Sequence, residues 1–333
     1  MKWYTNSGKD SDVVLSTRVR LARNLRDFPF PNRLDKNECK KVNETVRDVL
    51  LNGDDSLSYT EMSALNAYQA VSLAEKHLIS PEFASDSAGR ALILSNDEDI
   101  SVMLCEEDHV RLQVIYPGLS LSEAFEKAGE LDKRLSSGLN IAFDERIGYL
   151  TQCPTNLGTG MRASVMLHLP ALSQSSAISR LAATVSKLGL TLRGAYGEGS
   201  RPTGDIYQLS NQVTLGISEE AAIKNLNSIT EQIIAQERQA RQSLLKDDAF
   251  IDKIYRAYGI LRSAHMISCD EFTSLVSYVR VGASAGLIDV PVEKLTKLLV
   301  EMQPATINAA AGQKYTSAQR DVIRADMVKK ALE

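Results

Sequence analysis

Aromatic side chains make up only 6% of these 333 residues, with a single tryptophan, and the four cysteines and four histidines are scattered. Cys39, Cys105, Cys153 and Cys269 stand far apart without a CxxC pair. That spacing suits neither a disulfide framework nor a zinc cage, and it predicts reduced thiols in a cytoplasmic protein. No HExxH pattern occurs, and no structural metal is expected. A long apolar run is also missing, so no membrane span is expected, and Met1–Asp10 lacks the apolar core of a secretory signal. The charge is not of one sign: 38 basic residues against 42 acidic give a net −4. A chain that coats nucleic acid is normally basic, so that class is disfavoured. There is no GxxxxGK[ST], hence no P-loop. Gly158-x-Gly160-x-x-Ala163 has the letters of a dinucleotide fingerprint, but it leads into Arg162–Leu169, which reads as a strand rather than a helix, so a nicotinamide site is rejected.

What is present is an ordinary globular composition, 44% hydrophobic and 24% charged, at a length of about two domains. Val13–Leu21 reads as a strand, and residues 38–51 and 61–79 carry helical periodicity. Ala91–Asn96, Ile100–Cys105 and Val110–Tyr116 are short aliphatic runs joined by polar turns. Links that short imply antiparallel pairing, because a parallel crossover needs about a dozen residues or more. A helix is expected over Ser120–Ser136, and strands over Gly148–Gln152, Ala163–Leu169, Thr191–Arg193 and Ile206–Leu215, with a helical Pro170–Leu188 among them. Ser218–Lys246 reads as one long amphipathic helix, and beyond it residues 249–333 read as helices only, split near Asp270, Pro291 and Gly312. The predicted fold class is α+β: an antiparallel β-sheet flanked by helices over residues 1–245, then a small all-helical domain over 246–333.

Of the 38 basic residues 21 are arginines, and their placement is informative. Strand alternation puts Ser16, Arg18 and Arg20 on one face and Thr17, Val19 and Leu21 on the other. Arg162 and Ser164 repeat the device, as do Arg111 and Gln113 opposite Val110, Leu112 and Val114. Arg193 closes a further strand beside a glycine-bearing loop. Clustered guanidinium groups repel unless an anion joins them, and their planar forks match phosphate oxygens. Without a P-loop, this predicts a nucleotide triphosphate held by arginine side chains. The turn Cys105-Glu106-Glu107-Asp108-His109 places three carboxylates just before Arg111. Phosphoryl transfer needs positioning, charge neutralisation by Mg²⁺ and a carboxylate to orient the nucleophile.

Ser16-Thr17-Arg18-Val19-Arg20, Glu106-Glu107-Asp108-His109-x-Arg111, Cys153–Thr159, Arg162–Val165 and Arg193-Gly194-x-x-Gly197-Glu198 stand in the order found in phosphagen (guanidino) kinases. Over nearly its whole length the chain resembles the bacterial protein-arginine kinase subgroup of that family. The resemblance implies ATP binding by Ser16, Thr17, Arg18, Val19, Arg20, His77, Arg111, Arg162, Ala163, Ser164, Val165, Met166, Arg193, Gly194, Ala195, Tyr196, Gly197 and Glu198. It assigns Glu107 to orienting and deprotonating the target guanidinium, with Glu198 assisting. The chemistry supports the need: a guanidinium has a pKa above about 12 and is a poor nucleophile until a carboxylate draws off a proton. Cys153 matches the family's active-site cysteine, although a small packed thiol is the plainer reading of that residue alone.

Two departures from the small-molecule guanidino kinases bear on the acceptor. Those enzymes carry an extra helical domain before the first arginine motif, where here 15 residues precede Ser16, too few to bury a core. An open site with room for a protein-borne arginine is expected. The second departure is the C-terminal helical extension, which ends in Arg320-Asp321-Val322-Ile323-Arg324-Ala325. On a helix Arg320 and Arg324 lie one turn apart with Asp321 beside them. This matches the subgroup's Arg-Asp-x-x-Arg-Ala motif, which the resemblance makes a phosphoarginine-binding site. The resemblance further implies ATP and Mg²⁺ as cofactors, and as partners an activator protein, a heat-shock repressor and the Clp unfoldase–protease. A homodimer or larger oligomer is expected, with no direct nucleic-acid or membrane partner. The competing readings are a small-molecule arginine kinase and a non-catalytic phosphoarginine-binding adaptor.

Overall fold

The computed structural model describes residues 2–195 and 202–333. Ten strands run in chain order: β1 Val14–Arg23, β2 Leu57–Glu61, β3 Ala91–Ser95, β4 Ile100–Leu104, β5 Val110–Pro117, β6 Phe143–Asp144, β7 Gly148–Tyr149, β8 Met161–His168, β9 Leu190–Gly194 and β10 Ile206–Asn211. Up to residue 244 the helices are α1 Lys36–Leu51, α2 Ala67–Glu75, α3 Pro81–Ser85, α4 Leu121–Gly138, α5 Pro170–Gln174, α6 Ile178–Lys187 and α7 Glu219–Leu244. After them come α8 Asp248–Ser263, α9 Cys269–Ser284, α10 Val292–Glu301, α11 Pro304–Ala311 and α12 Ser317–Leu332. The α+β reading, antiparallel sheet first and helices last, agrees with this architecture.

Eight strands form one sheet in the order β2-β3-β4-β5-β1-β8-β10-β9, while β6 and β7 pair separately. Every neighbouring pair is antiparallel. Alternation sorts the side chains. Val19, Leu21, Leu112, Val114, Ala163, Val165 and Leu209 are fully buried on one face, under α1, α4 and α7. Val42, Val46 and Leu50 of α1 and Ala124, Ala128 and Leu135 of α4 meet them there. Each fully buried aliphatic side chain of this kind stabilises the fold by about 1.5–3 kcal/mol. Thr17, on the same face, spends its hydroxyl on the Gly118 carbonyl (2.7 Å) and accepts from Ser120 N–H (3.1 Å), which anchors the start of α4 to β1.

Three elements differ from the periodicity. Residues 61–79 are not one helix: Leu57–Glu61 pairs with β3, and α2 begins only at Ala67, capped by Asn66. The pairing partner is remote, so helical spacing alone could not show it. Pro170–Leu188 breaks into α5 and α6 around Ser176, whose φ of 56° does not continue a helix. Strand β10 stops at Asn211 because the Asn211 side chain turns back, accepting from Ala163 N–H and donating to the Met161 and Val213 carbonyls.

The C-terminal helices share a core with one end of the sheet's polar face. Leu15, Met166 and Ile206 belong to the same buried cluster as Phe250, Ile254, Phe272, Val276, Leu295 and Val328. The lead-in is packed too: Trp3 and Tyr4 are 1% exposed, against Leu78, Ile115 and Val300.

Candidate active site

The arginine face forms as alternation requires. In the β1–β5 register Arg18 lies opposite Ile115, Arg20 opposite Gln113 and Ala22 opposite Arg111. In the β1–β8 register Arg20 faces Arg162 and Arg18 faces Ser164. Gln208 of β10 links Met166 to Arg193. Opposed residues of an antiparallel pair share a face, so arginines from four strands converge on one surface. Thr17, Val19, Ala163 and Val165 stand on the packed face and reach the site only through their strands. Gly194 ends β9 and Ala195 N–H donates to the Ile206 carbonyl (3.1 Å). Tyr196, Gly197 and Glu198 lie outside the described residues.

A cavity of about 260 Å³ opens on this face, lined by Arg20, Arg111, Arg162, Glu107, Asp108, Thr155 and Asn156 among others. The guanidinium groups here are short of counter-ions. The Nε atoms of Arg20 and Arg162 are buried with no hydrogen-bond partner among the described residues. Burial, then the charges of Arg18, Arg111 and Arg162, hold Arg20 well below the usual arginine pKa. Arg18 is pushed down to about 10 by burial and by Arg111 and Arg162, although it donates to Gln208 Oε1 (2.6 Å). Orphaned cationic donors converging on a cavity are an anion site by construction, and a polyphosphate satisfies them bidentately.

The three carboxylates of the 106–108 turn have separate fates. Glu106 accepts from Ser80 Oγ and pairs with Arg111 Nη1 (2.6 Å). Burial raises its pKa, but Arg111 and the hydrogen bonds outweigh that and leave it lowered. Asp108 is 2% exposed and accepts from Asn24 Nδ2 (2.6 Å) and Gln152 N–H (2.8 Å), so it braces the turn. Glu107 alone of the three lines the cavity without a hydrogen-bond partner among the described residues. Cys105, at φ 58°, supplies the tight bend that aims the turn. Cys153 is half-buried, with its thiol 3.1 Å from Thr155 Oγ1.

Beside the cavity lies a narrow slot lined by Ser16, Arg18, His77, Ile115, Ser164, Met166 and Gln208. Burial and then the Arg18 charge push the His77 imidazole down to about 3, so it is neutral at ordinary pH. The slot has room for about one water molecule, about 10 Å³, so a flat heterocycle would lie across its mouth, against the neutral ring and Met166, rather than inside it. Gln208, which lines the slot, drew no attention in the sequence, whereas Asn156, which lines the cavity, lay within the Cys153–Thr159 motif without a role of its own. The polar alternation Gln208-x-Ser210 was the signal available for the first.

Arg320 and Arg324 are not part of this site. Arg324 is 1% exposed, donating through Nε to the Met302 carbonyl (2.9 Å) and through Nη1 to the Ile267 carbonyl (2.8 Å) and Asp321 Oδ1 (2.6 Å). Half-buried Arg320 donates to the Tyr315 carbonyl (2.7 Å). Val322 and Ile323 are partly covered, and Ala325 is fully buried in the helical core.

Fold and arginine face together define an ATP:guanido phosphotransferase, and the family model of that name, for its C-terminal catalytic domain, matches residues 39–240. The model of the protein-arginine kinase McsB C-terminal domain matches residues 247–333. The chain belongs to the protein-arginine kinase family. It is 46% identical to the protein-arginine kinase of Halothermothrix orenii, over 99% of this chain and 96% of that one. The enzyme of the same name from Pelotomaculum thermopropionicum is 43% identical, over 98% and 94%. Among solved structures, lombricine kinase superposes with a TM-score of 0.60 at 26% identity, over 71% of this chain and 70% of that one. A duplicated taurocyamine kinase from Schistosoma mansoni, with bound transition-state-analogue components, superposes with a TM-score of 0.61 at 26% identity. The match covers 71% of this chain and 35% of the taurocyamine kinase, about a third of its length. Among the described residues no helix is long and apolar enough to cross a membrane.

Proposed function

We propose that this chain transfers the γ-phosphoryl group of ATP to the guanidinium of arginine side chains in proteins. The observation that carries the reading is Glu107, without a hydrogen-bond partner among the described residues, at the edge of a cavity into which Arg20 and Arg162 bring buried Nε donors that are likewise unpartnered among the described residues. The base and ribose would lie against the His77–Met166 slot, and the phosphates would lie across Arg18, Arg20, Arg111, Arg162 and Arg193. A guanidinium nitrogen attacks the γ-phosphorus, a proton passes to Glu107 with Glu198 assisting, and ADP leaves with its charge held by the arginines. Phosphoarginine, ADP and one proton account for all atoms. Mg²⁺ belongs here as the partner of ATP: among the described residues no three His, Cys, Asp or Glu side chains form a metal cage. Phosphate oxygens and water, the ligands that ion favours, would hold it, and it would neutralise charge on the phosphates.

The similarity to relatives named protein-arginine kinases supports a protein acceptor. At a finer level the reading includes a cytoplasmic enzyme, assembled as a homodimer or larger oligomer. It would mark proteins for a Clp unfoldase–protease, inactivate a heat-shock repressor and answer to an activator protein. The Arg320–Ala325 motif would hold phosphoarginine.

The test offers Mg²⁺ and labelled ATP to two acceptors in parallel, free arginine and an unfolded arginine-rich protein. Label is scored before and after mild acid, which cleaves a phosphorus–nitrogen bond and spares a serine phosphate. Acid-labile label on the protein is expected. Label on free arginine alone would move the chain to the small-molecule enzymes, and label on neither would leave a binding adaptor. Glu107→Gln is expected to lower transfer by about 10²–10⁴-fold while ATP affinity is retained. Normal turnover in that variant would remove Glu107 from the mechanism.

A further inference from the structure

The helix that leads into the nucleotide slot is joined to the C-terminal helices by a carboxylate at its last residue. Helix α2 ends at Glu75, and two residues later His77 enters the slot in the left-handed region, with φ 60°. A histidine holds such a backbone only where its surroundings over-determine it. From the sheet side Gln113 Nε2 donates to the His77 carbonyl (2.8 Å). From the lead-in Trp3 Nε1 donates to the Lys76 carbonyl (3.3 Å). From the C-terminal side Glu75 accepts the first free amides of α11: Ala305 N–H to Oε1 (2.9 Å) and Thr306 N–H to Oε2 (2.7 Å). Thr306 Oγ1 donates to the same Oε2 (2.8 Å) and accepts from Ser72 Oγ (3.1 Å). Helix α11 has no cap of its own, since Gln303 makes no side-chain cap bond. A carboxylate from 230 residues earlier in the chain does that work.

We infer that Glu75 is a positioning residue: by capping α11 it lets the placement of the C-terminal helices set where His77 stands in the nucleotide slot. The other end of the linkage is Met302, whose carbonyl is held by Arg324 at the turn into α11. Any event that moves this turn is therefore felt at the end of α2. The inference rests on reading the His77 slot as the nucleotide site.

The experiment measures binding of a non-hydrolysable ATP analogue by calorimetry, with no acceptor present, to the full chain and to Glu75→Gln, His77→Gln and the double variant. Glutamine offers one acceptor oxygen to two amides and turns an NH₂ toward the other, so the cap is lost. Glu75→Gln is expected to bind the analogue about tenfold more weakly, equivalent to about 1.4 kcal/mol. The maximal rate at saturating ATP and the KM for the protein acceptor should stay near wild type. Because Glu75 acts through His77, the double variant should be no weaker than His77→Gln alone. Additive losses, or unchanged affinity in a folded Glu75→Gln, would overturn the inference. If Glu75→Gln does not fold, Thr306→Val, which keeps both amide bonds, is read in its place. A weakening of about two- to threefold supports the linkage, and wild-type affinity refutes it. A wild-type chain that bound no analogue would bring down the nucleotide reading first, and the positioning role with it.

Discussion

Arg20→Met separates stability from binding, because the structure asks Arg20 to serve one at the expense of the other. Arg20 stands in register with Arg162, its Nε is buried without a partner among the described residues, and Arg18 and Arg111 add like charge. Opposed residues of an antiparallel pair have Cβ atoms about 5 Å apart, and long side chains that splay from there are taken with guanidinium centres roughly 7 Å apart. At an effective dielectric of about 20 that separation gives a repulsion of about 2.4 kcal/mol, and partial exposure reduces it to about 1 kcal/mol. An unsatisfied buried donor costs about 1–3 kcal/mol more. Methionine keeps the aliphatic stem packed and removes both penalties. The nucleotide-free variant should therefore be more stable by about 2–4 kcal/mol, which at about 2.1 cal/mol/K of unfolding entropy per residue raises Tm by about 3–6 °C. ATP affinity should fall about 10–100-fold, the worth of a charge-assisted phosphate contact. Thermal unfolding with and without ATP reads both effects: the variant starts higher and gains less on adding nucleotide. Arg111→Met is the contrast, because it strands Glu106, whose side chain is only 7% exposed, and should lower Tm. An Arg20→Met protein less stable than wild type without nucleotide would refute the argument that these arginines await an anion.

Arg324→Gln should destabilise the C-terminal helices by about 3 kcal/mol, since Arg324 closes the turns at Ile267 and Met302 from a buried position. Hydrogen exchange at α9 and α11 would show it, and protection equal to wild type would contradict it. Arg320→Gln, at a half-buried site, should leave stability within about 0.5 kcal/mol and is the cleaner probe of phosphoarginine binding. Acid sensitivity has its own source in buried histidines. His109 accepts Leu25 N–H at Nδ1 and donates from Nε2 to the Pro29 carbonyl, while His168 lies between Ser277 and Arg241. Burial lowers the pKa of both, and Arg241 and Arg280 lower His168 further. The unfolded chain then binds more protons than the folded one below about pH 6.5, so each histidine removes up to about 1.4 kcal/mol per pH unit as pH falls from there. Above that pH neither contributes a slope. Urea unfolding of wild type and His168→Gln between pH 7 and 5 should give a shallower fall for the variant, and parallel curves would sink the assignment.

Strand alternation determined a good deal of this protein from sequence alone. Arg18, Arg20, Arg111 and Arg162 fall on one face because side chains alternate along a strand whatever lies around it, and short polar links between β3, β4 and β5 leave antiparallel pairing as their geometry. The helical C-terminal third was legible for the same reason, since its apolar spacing is local. The arginine motifs, in their order, carried the family resemblance. Tertiary structure alone decided what those residues were worth. Three consecutive carboxylates look alike as letters. Only Arg111, Ser80, Asn24 and Gln152, brought in from four other segments, assign Glu106 and Asp108 to structure and leave Glu107 to the cavity. Arg324 read as one of a pair a helical turn apart, and only the turns at Ile267 and Met302 made it a buried tie. The Glu75 cap on α11 joins groups 230 residues apart. Contacts at that separation leave no period in the sequence, because they are chosen by packing rather than by the pitch of any one element.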